Sequence, residues 1–162
     1  QSMKGKGATF IAYFPRTEQA PKWTLSPAPE KPAAAEDRTI LVVDDEEAIR
    51  LLGKTILEHD GHRVLTAGDG LEAIEIFTGK KEEVDLVILD LTMPDRSGGE
   101  VLEQLRRIKP EVRVIISSGH RTEHPLDLAG VSFLQKPYRP ADLLRMVNEV
   151  FLNSAEEPDA GD

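Results

Sequence analysis

Cysteine is absent from the chain, so a disulfide framework, a thiolate nucleophile and a thiolate metal site are all excluded at once. Aromatic residues are scarce, 5% against a hydrophobic fraction of 40%, which leaves Val, Ile, Leu and Ala to build any core. That composition suits a parallel sheet covered by helices, whose strands are buried on both faces. No apolar run approaches the roughly 20 residues needed to span a bilayer, and no basic stretch precedes an apolar signal core. Basic residues are outnumbered, 20 Lys and Arg against 29 Asp and Glu, for a formal charge of −9. A nucleic-acid groove requires the opposite balance, because it must neutralise phosphates. Carboxylates, hydroxyls, lysines and four histidines remain for chemistry.

At 162 residues the chain has room for one domain with a real core, plus tails. Gln1, Ser2 and Met3 read as the remnant of a cleavable tag followed by a start methionine. From Gly5 a glycine-rich opening leads into an alternating, aromatic-rich run, Thr9 to Phe14, which Pro15 closes; residues 4–15 therefore read as a strand without a visible partner. Residues 16–37, with Pro21, Pro27, Pro29 and Pro32 and three consecutive alanines, have the composition of an extended linker. The texture then changes, and 38–153 is expected to be the folded domain, followed by an acidic tail over 154–162.

Within that domain Ile40–Val43, Val64–Thr66, Leu86–Leu89, Val112–Ile116 and Val131–Leu134 are the strand candidates. Helical spacing joins Ala48, Leu51, Leu52, Thr55 and Ile56; Leu71, Ile74 and Phe77; Val101, Leu102, Leu105 and Ile108; and Leu143, Leu144, Val147 and Phe151. Strands alternating with helices predict an α/β fold, a doubly wound five-stranded parallel sheet with helices on both faces. Between His120 and Gly130, Pro125 leaves room for only a short or irregular helix.

Ligands of such sheets bind where side chains leave the carboxyl ends of the strands. The first strand ends in Asp44 and Asp45, the third in Asp90, the fourth in Ser117 and Ser118, and the fifth runs into Lys136 and Pro137. Three carboxylates brought together disfavour their own ionised state unless a cation intervenes, so the cluster suggests a hard divalent ion, Mg²⁺ by preference. An aspartate beside such an ion can act as a nucleophile and form an acyl phosphate, with Lys136 and Ser118 placed to meet phosphoryl oxygens. Each feature has a plainer explanation: an aspartate pair can cap the next helix, and Lys-Pro can simply turn the chain. Their shared location at successive ends of one sheet favours a common site. His59, His62 and His124 read as solvated, and His120 flanks the site. Without metal, repulsion among Asp44, Asp45 and Asp90 is expected to make Asp44→Asn or Asp90→Asn more stable than the parent.

The ordered set I-L-V-V-D-D-E, A-G-D-G-L-E-A-I, D-L-V-I-L-D-L-T-M-P-D-R-S-G-G, V-I-I-S-S-G-H and F-L-Q-K-P-Y resembles the response-regulator receiver family over nearly all of 38–153. The resemblance implies a flavodoxin-like sheet of order 2-1-3-4-5 and a role in two-component phosphorelay signalling. By it, Asp90 would be the phosphoacceptor, Asp45 a direct Mg²⁺ ligand, and Asp44 an acid acting through metal-bound water, with the Thr92 carbonyl completing the shell. Lys136 would pair with the phosphoryl group, Ser118 would be the switch hydroxyl and Phe133 the switch aromatic. Pro94 and Gly98 would shape the loop after Asp90, and a cis peptide would precede Pro137. The interval from Ser118 to Lys136 is shorter than in most receivers, which questions dimerisation through that region.

The opening G-K-G-A-T-F-I-A-Y-F-P is similar to the last glycine box and final strand of the ATP-binding domain of sensor histidine kinases. Together the two resemblances imply a cytoplasmic fragment, the C-terminal receiver of a hybrid histidine kinase, with membrane anchoring of the parent kinase left open. Its partners would be a phosphohistidine domain or a histidine phosphotransfer protein, with neither nucleic acid nor membrane for this fragment. Two other readings stay open: a stand-alone response regulator, and a Mg²⁺-dependent aspartyl-phosphate phosphatase, which would want an acid where Thr92 stands.

Overall fold

The computed structural model describes residues 37–94, 97–119 and 130–153, all within the unit Ala34–Asp162. The expectations for 1–36, for the tail from 154, and for His120, His124 and the interval around them lie outside the described residues. Five parallel strands form one sheet: β1 (Thr39–Val43), β2 (Arg63–Ala67), β3 (Val84–Asp90), β4 (Arg113–Ser118) and β5 (Val131–Gln135), in the order β2-β1-β3-β4-β5. Among the described residues, helices α1 (Glu47–His59), α2 (Gly70–Lys80), α3 (Gly98–Ile108) and α4 (Pro140–Asn153) connect or follow them. The architecture expected from sequence is thus observed, with strand limits shifted by one or two residues.

Strand alternation divides the interior into two layers. Leu41 and Val43 of β1, Val87 and Leu89 of β3, and Val114 and Ile116 of β4 pack with Phe77, Val101 and Leu105 on the side of α2 and α3. Ile40 and Val42, Leu86 and Ile88, Ile115 and Leu134 face the other way, against Leu57 of α1 and Leu143 and Val147 of α4. The helix starts are fixed locally. Asp69 caps α2 by accepting from the Leu71 and Glu72 amides at 2.8 Å each, and Ser97 with Glu100 forms a reciprocal capping box on α3.

The helical spacings hold, but Leu51 and Leu52 of α1 and Leu71 of α2 lie outside the buried stripe, exposed at 55%, 47% and 59%, and one expectation, for His62, needs correction. The stripes that meet the sheet are Gly53 with Leu57, and Ala73 with Phe77. His62 is buried, not solvated: it stands 3.5 Å from Asp60, and its ring lies 6.3 Å from that of Phe151 near the end of α4. His59 is exposed, as expected.

Candidate functional site

The same alternation that fills the core delivers the chemistry. Asp44 continues the face of Ile40 and Val42, Asp90 that of Leu86 and Ile88, and Lys136 that of Leu134, so all three emerge on the α1 and α4 side. β1 and β3 are neighbours, which brings the Asp44 and Asp90 carboxylates together. Lys136 closes the group: its Nζ donates to Asp44 Oδ2 at 2.6 Å and to Asp90 Oδ2 at 2.7 Å. The Asp44 and Asp90 side chains are 4% and 7% exposed, that of Lys136 18%. The peptide between Lys136 and Pro137 is cis.

The remaining carboxylate oxygens are also held. Asp44 Oδ1 accepts the Glu46 amide at 3.0 Å, and Asp90 Oδ1 accepts the Thr92 amide at 2.9 Å. Asp44 thus shapes the turn before α1, while Glu46 at the helix N-cap makes no side-chain cap bond. Asp45 is exposed and follows directly on Asp44. One oxygen from each of Asp44, Asp45 and Asp90 lies within 4.8 Å of the others. Mg²⁺ bonds oxygen at about 2.1 Å, so ligands facing each other across it are about 4.2 Å apart, and this all-oxygen set fits such an ion after a small contraction. A net negative charge persists, since one ammonium faces three carboxylates.

Burial pulls the Lys136 pKa down, but the hydrogen bonds and charges of Asp44 and Asp90 outweigh that and hold the ammonium above its ordinary 10.5. Tyr138 lies behind it. Burial raises its phenol above 10.0, while Ser117 and the Lys136 charge pull the other way. The buried Ser117 Oγ, next to the phenol, makes no hydrogen bond of acceptable geometry.

The sequence pattern of the response regulator receiver domain matches residues 40–148. The chain belongs to that family. The receiver is 33% identical over 158 residues to the sensor kinase CckA of Brucella abortus, an alignment that covers 90% of this chain and only 17% of the kinase. A receiver domain protein from Clostridium thermocellum is 37% identical with a TM-score of 0.67, over 73% of this chain and 97% of that one. The receiver domain of the hybrid histidine kinase CckA is 34% identical with a TM-score of 0.62, over 69% and 97% respectively. Receiver domains of this family work in two-component signalling. Among the described residues no helix is long and apolar enough to cross a membrane.

The other residues singled out from sequence lie around this mouth. Ser118 ends β4 with 1% exposure, one residue past Ser117, the register partner of Asp90; its carbonyl accepts the Lys136 amide at 2.9 Å. Phe133 is half-buried against the α2 and α3 layer, on the face of β5 opposite Lys136. Met93 beside Thr92 is buried, while Pro94 is exposed. Gly98 is needed for close approach: a Cβ there would overlap the Asp90 carbonyl and come within 2.6 Å of Leu91 Cα. Its amide donates to the Leu91 carbonyl at 3.2 Å. Sequence reasoning gave no role to Arg50 or Tyr138. Tyr138 lay in the quoted K-P-Y motif, and Arg50 sits one turn into α1, five and six residues after the acid pair, within reach of the loop.

Proposed function

We propose that this receiver accepts a phosphoryl group from a phosphohistidine onto Asp90, with Mg²⁺ held by Asp45 and Asp90, the Thr92 carbonyl and, through water, Asp44. The observation that carries the reading is the buried Asp90 carboxylate, set between a second buried acid and an ammonium at the carboxyl end of the central strand. In the transfer, an Asp90 carboxylate oxygen forms a bond to phosphorus as the histidine N–P bond breaks. The bonding pair stays with the imidazole nitrogen, which takes up a proton. The metal ion, when bound, neutralises phosphoryl oxygens as they crowd the carboxylates. Lys136 supplies a second positive charge, already aimed at Asp90, and Ser118 supplies a hydroxyl for another oxygen. The Thr92 amide keeps one Asp90 oxygen fixed while the other reacts.

The readout follows from the same layout. A phosphoryl group beside β4 adds acceptor oxygens, Ser118 moves to meet them, and Phe133 turns into the space released. The parent protein is a hybrid histidine kinase acting at the cytoplasm, a reading supported by the alignment to the sensor kinase, which reaches beyond the receiver itself. Acetyl phosphate with Mg²⁺ should add one phosphoryl mass to the wild-type chain and none to Asp90→Asn. Beryllofluoride with Mg²⁺ should shift amides near Asp90, Ser118 and Phe133. A labelled Asp90→Asn chain, or an unshifted spectrum, would remove Asp90 from this role.

A further inference from the structure

The proposed cation site has a support that its ligand set does not include. Arg50, in the second turn of α1, donates from the single nitrogen Nη1 to two successive backbone carbonyls, Asp44 O at 2.6 Å and Asp45 O at 3.0 Å. Its guanidinium also lies against the loop between β2 and α2. A Cβ placed on Gly68 would be 3.5 Å from Cζ, Nη1 and Nη2 alike, and equal distances to three atoms of a planar group put that point over its face. One side chain thus ties the acidic turn to the neighbouring loop.

The two acids differ in what else holds them. Both oxygens of the Asp44 carboxylate are engaged, by the Glu46 amide and by Lys136. The Asp45 carboxylate is exposed, so its aim depends on the peptide that carries it. We infer that Arg50 is a positioning residue for divalent-cation binding, fixing the Asp44–Asp45 backbone so that the Asp45 carboxylate is presented to the cation. The inference rests on the cation-binding reading of the site.

Charge and positioning act here with opposite signs. A guanidinium beside the site repels a cation, so if charge were its whole influence, removing it would tighten Mg²⁺ binding. If Arg50 holds the turn, removing it weakens binding, as loss of an outer-layer partner does at metal sites. The test is a Mg²⁺ titration of the full chain, without phosphodonor, followed by the Asp45, Glu46 and Thr92 amides. Arg50→Met should raise the Kd roughly tenfold, the low end for such partners. Arg50→Lys, which keeps the charge and one donor, should fall between. In metal-free protein the Glu46 amide of Arg50→Met should exchange faster with solvent. A Kd for Arg50→Met equal to or below wild type overturns the inference. Should that variant fail to fold, an Arg50→Lys Kd equal to wild type overturns it instead. Wild-type protein that binds no Mg²⁺ overturns the proposed function, and this inference with it.

Discussion

Replacing Lys136 by Met tests the charge arrangement directly, because the variant keeps much of the side-chain volume and removes the ammonium from between two buried acids. Asp44 and Asp90 would then face each other with oxygens within 4.8 Å and no cation between them. At an effective dielectric of roughly 20, two unit charges at that separation repel by about 3.5 kcal/mol. The ammonium is also the hydrogen-bond partner of both carboxylates, and removing one side of a buried ion pair costs about 3 to 5 kcal/mol. Urea unfolding of wild type and Lys136→Met, in chelator at pH 7, gives the difference, and Mg²⁺ should recover part of the loss. A difference below about 1 kcal/mol, or one that Mg²⁺ does not reduce, would refute the reasoning.

Gly98→Ala should destabilise by about 3 kcal/mol or more in urea, because its Cβ meets backbone rather than a yielding side chain; an unchanged midpoint would contradict the packing described for the Asp90 loop. Lys136 and Tyr138 both have raised folded-state pKa values, so stability is intact below pH 10 and falls as pH rises beyond it. In Tyr138→Phe the part due to the phenol disappears, and thermal melts between pH 8 and 12 should show a shallower alkaline decline. Asp45→Asn should weaken Mg²⁺ binding in a calorimetric titration while leaving the Lys136 ion pairs in place; undiminished affinity would remove Asp45 from the ligand set.

Lys136 also revises an expectation drawn from charge alone. Repulsion among three acids made Asp44→Asn and Asp90→Asn look stabilising, but both carboxylates now have the ammonium as a partner to lose. The relief falls instead on Asp45→Asn, which touches neither bond. Sequence showed which residue types stood at the strand ends, because the buried strands of a parallel sheet read as short apolar runs and their ends are easy to find. It did not show that Lys136 fills the gap between Asp44 and Asp90, since the two bonds join residues 92 and 46 positions apart. Helical spacing alone did not separate the buried from the exposed members of α1 and α2, for a related reason. Leu51, Leu52 and Leu71 are large and apolar yet exposed, while Gly53 and Ala73, which hydrophobicity ranks low, are buried beside Leu57 and Phe77, their smallness letting the helices approach the sheet. His62 follows Gly61, whose φ of 97° marks a turn, and so reads as surface; its cover comes from Phe151 at the far end of the chain.

The placement of the strands divides labour between a fixed centre and an adjustable margin. Asp90 rides on β3, which is stitched to β1 on one side and β4 on the other, so moving it would break two ladders. Among the described residues β5 has a partner strand on one side only, and in five residues it carries Phe133 and leads straight into Lys136. A shift of β5 disturbs a single ladder. The reacting carboxylate is thereby anchored by two ladders, and both the ammonium and the aromatic hang from an edge strand held by one.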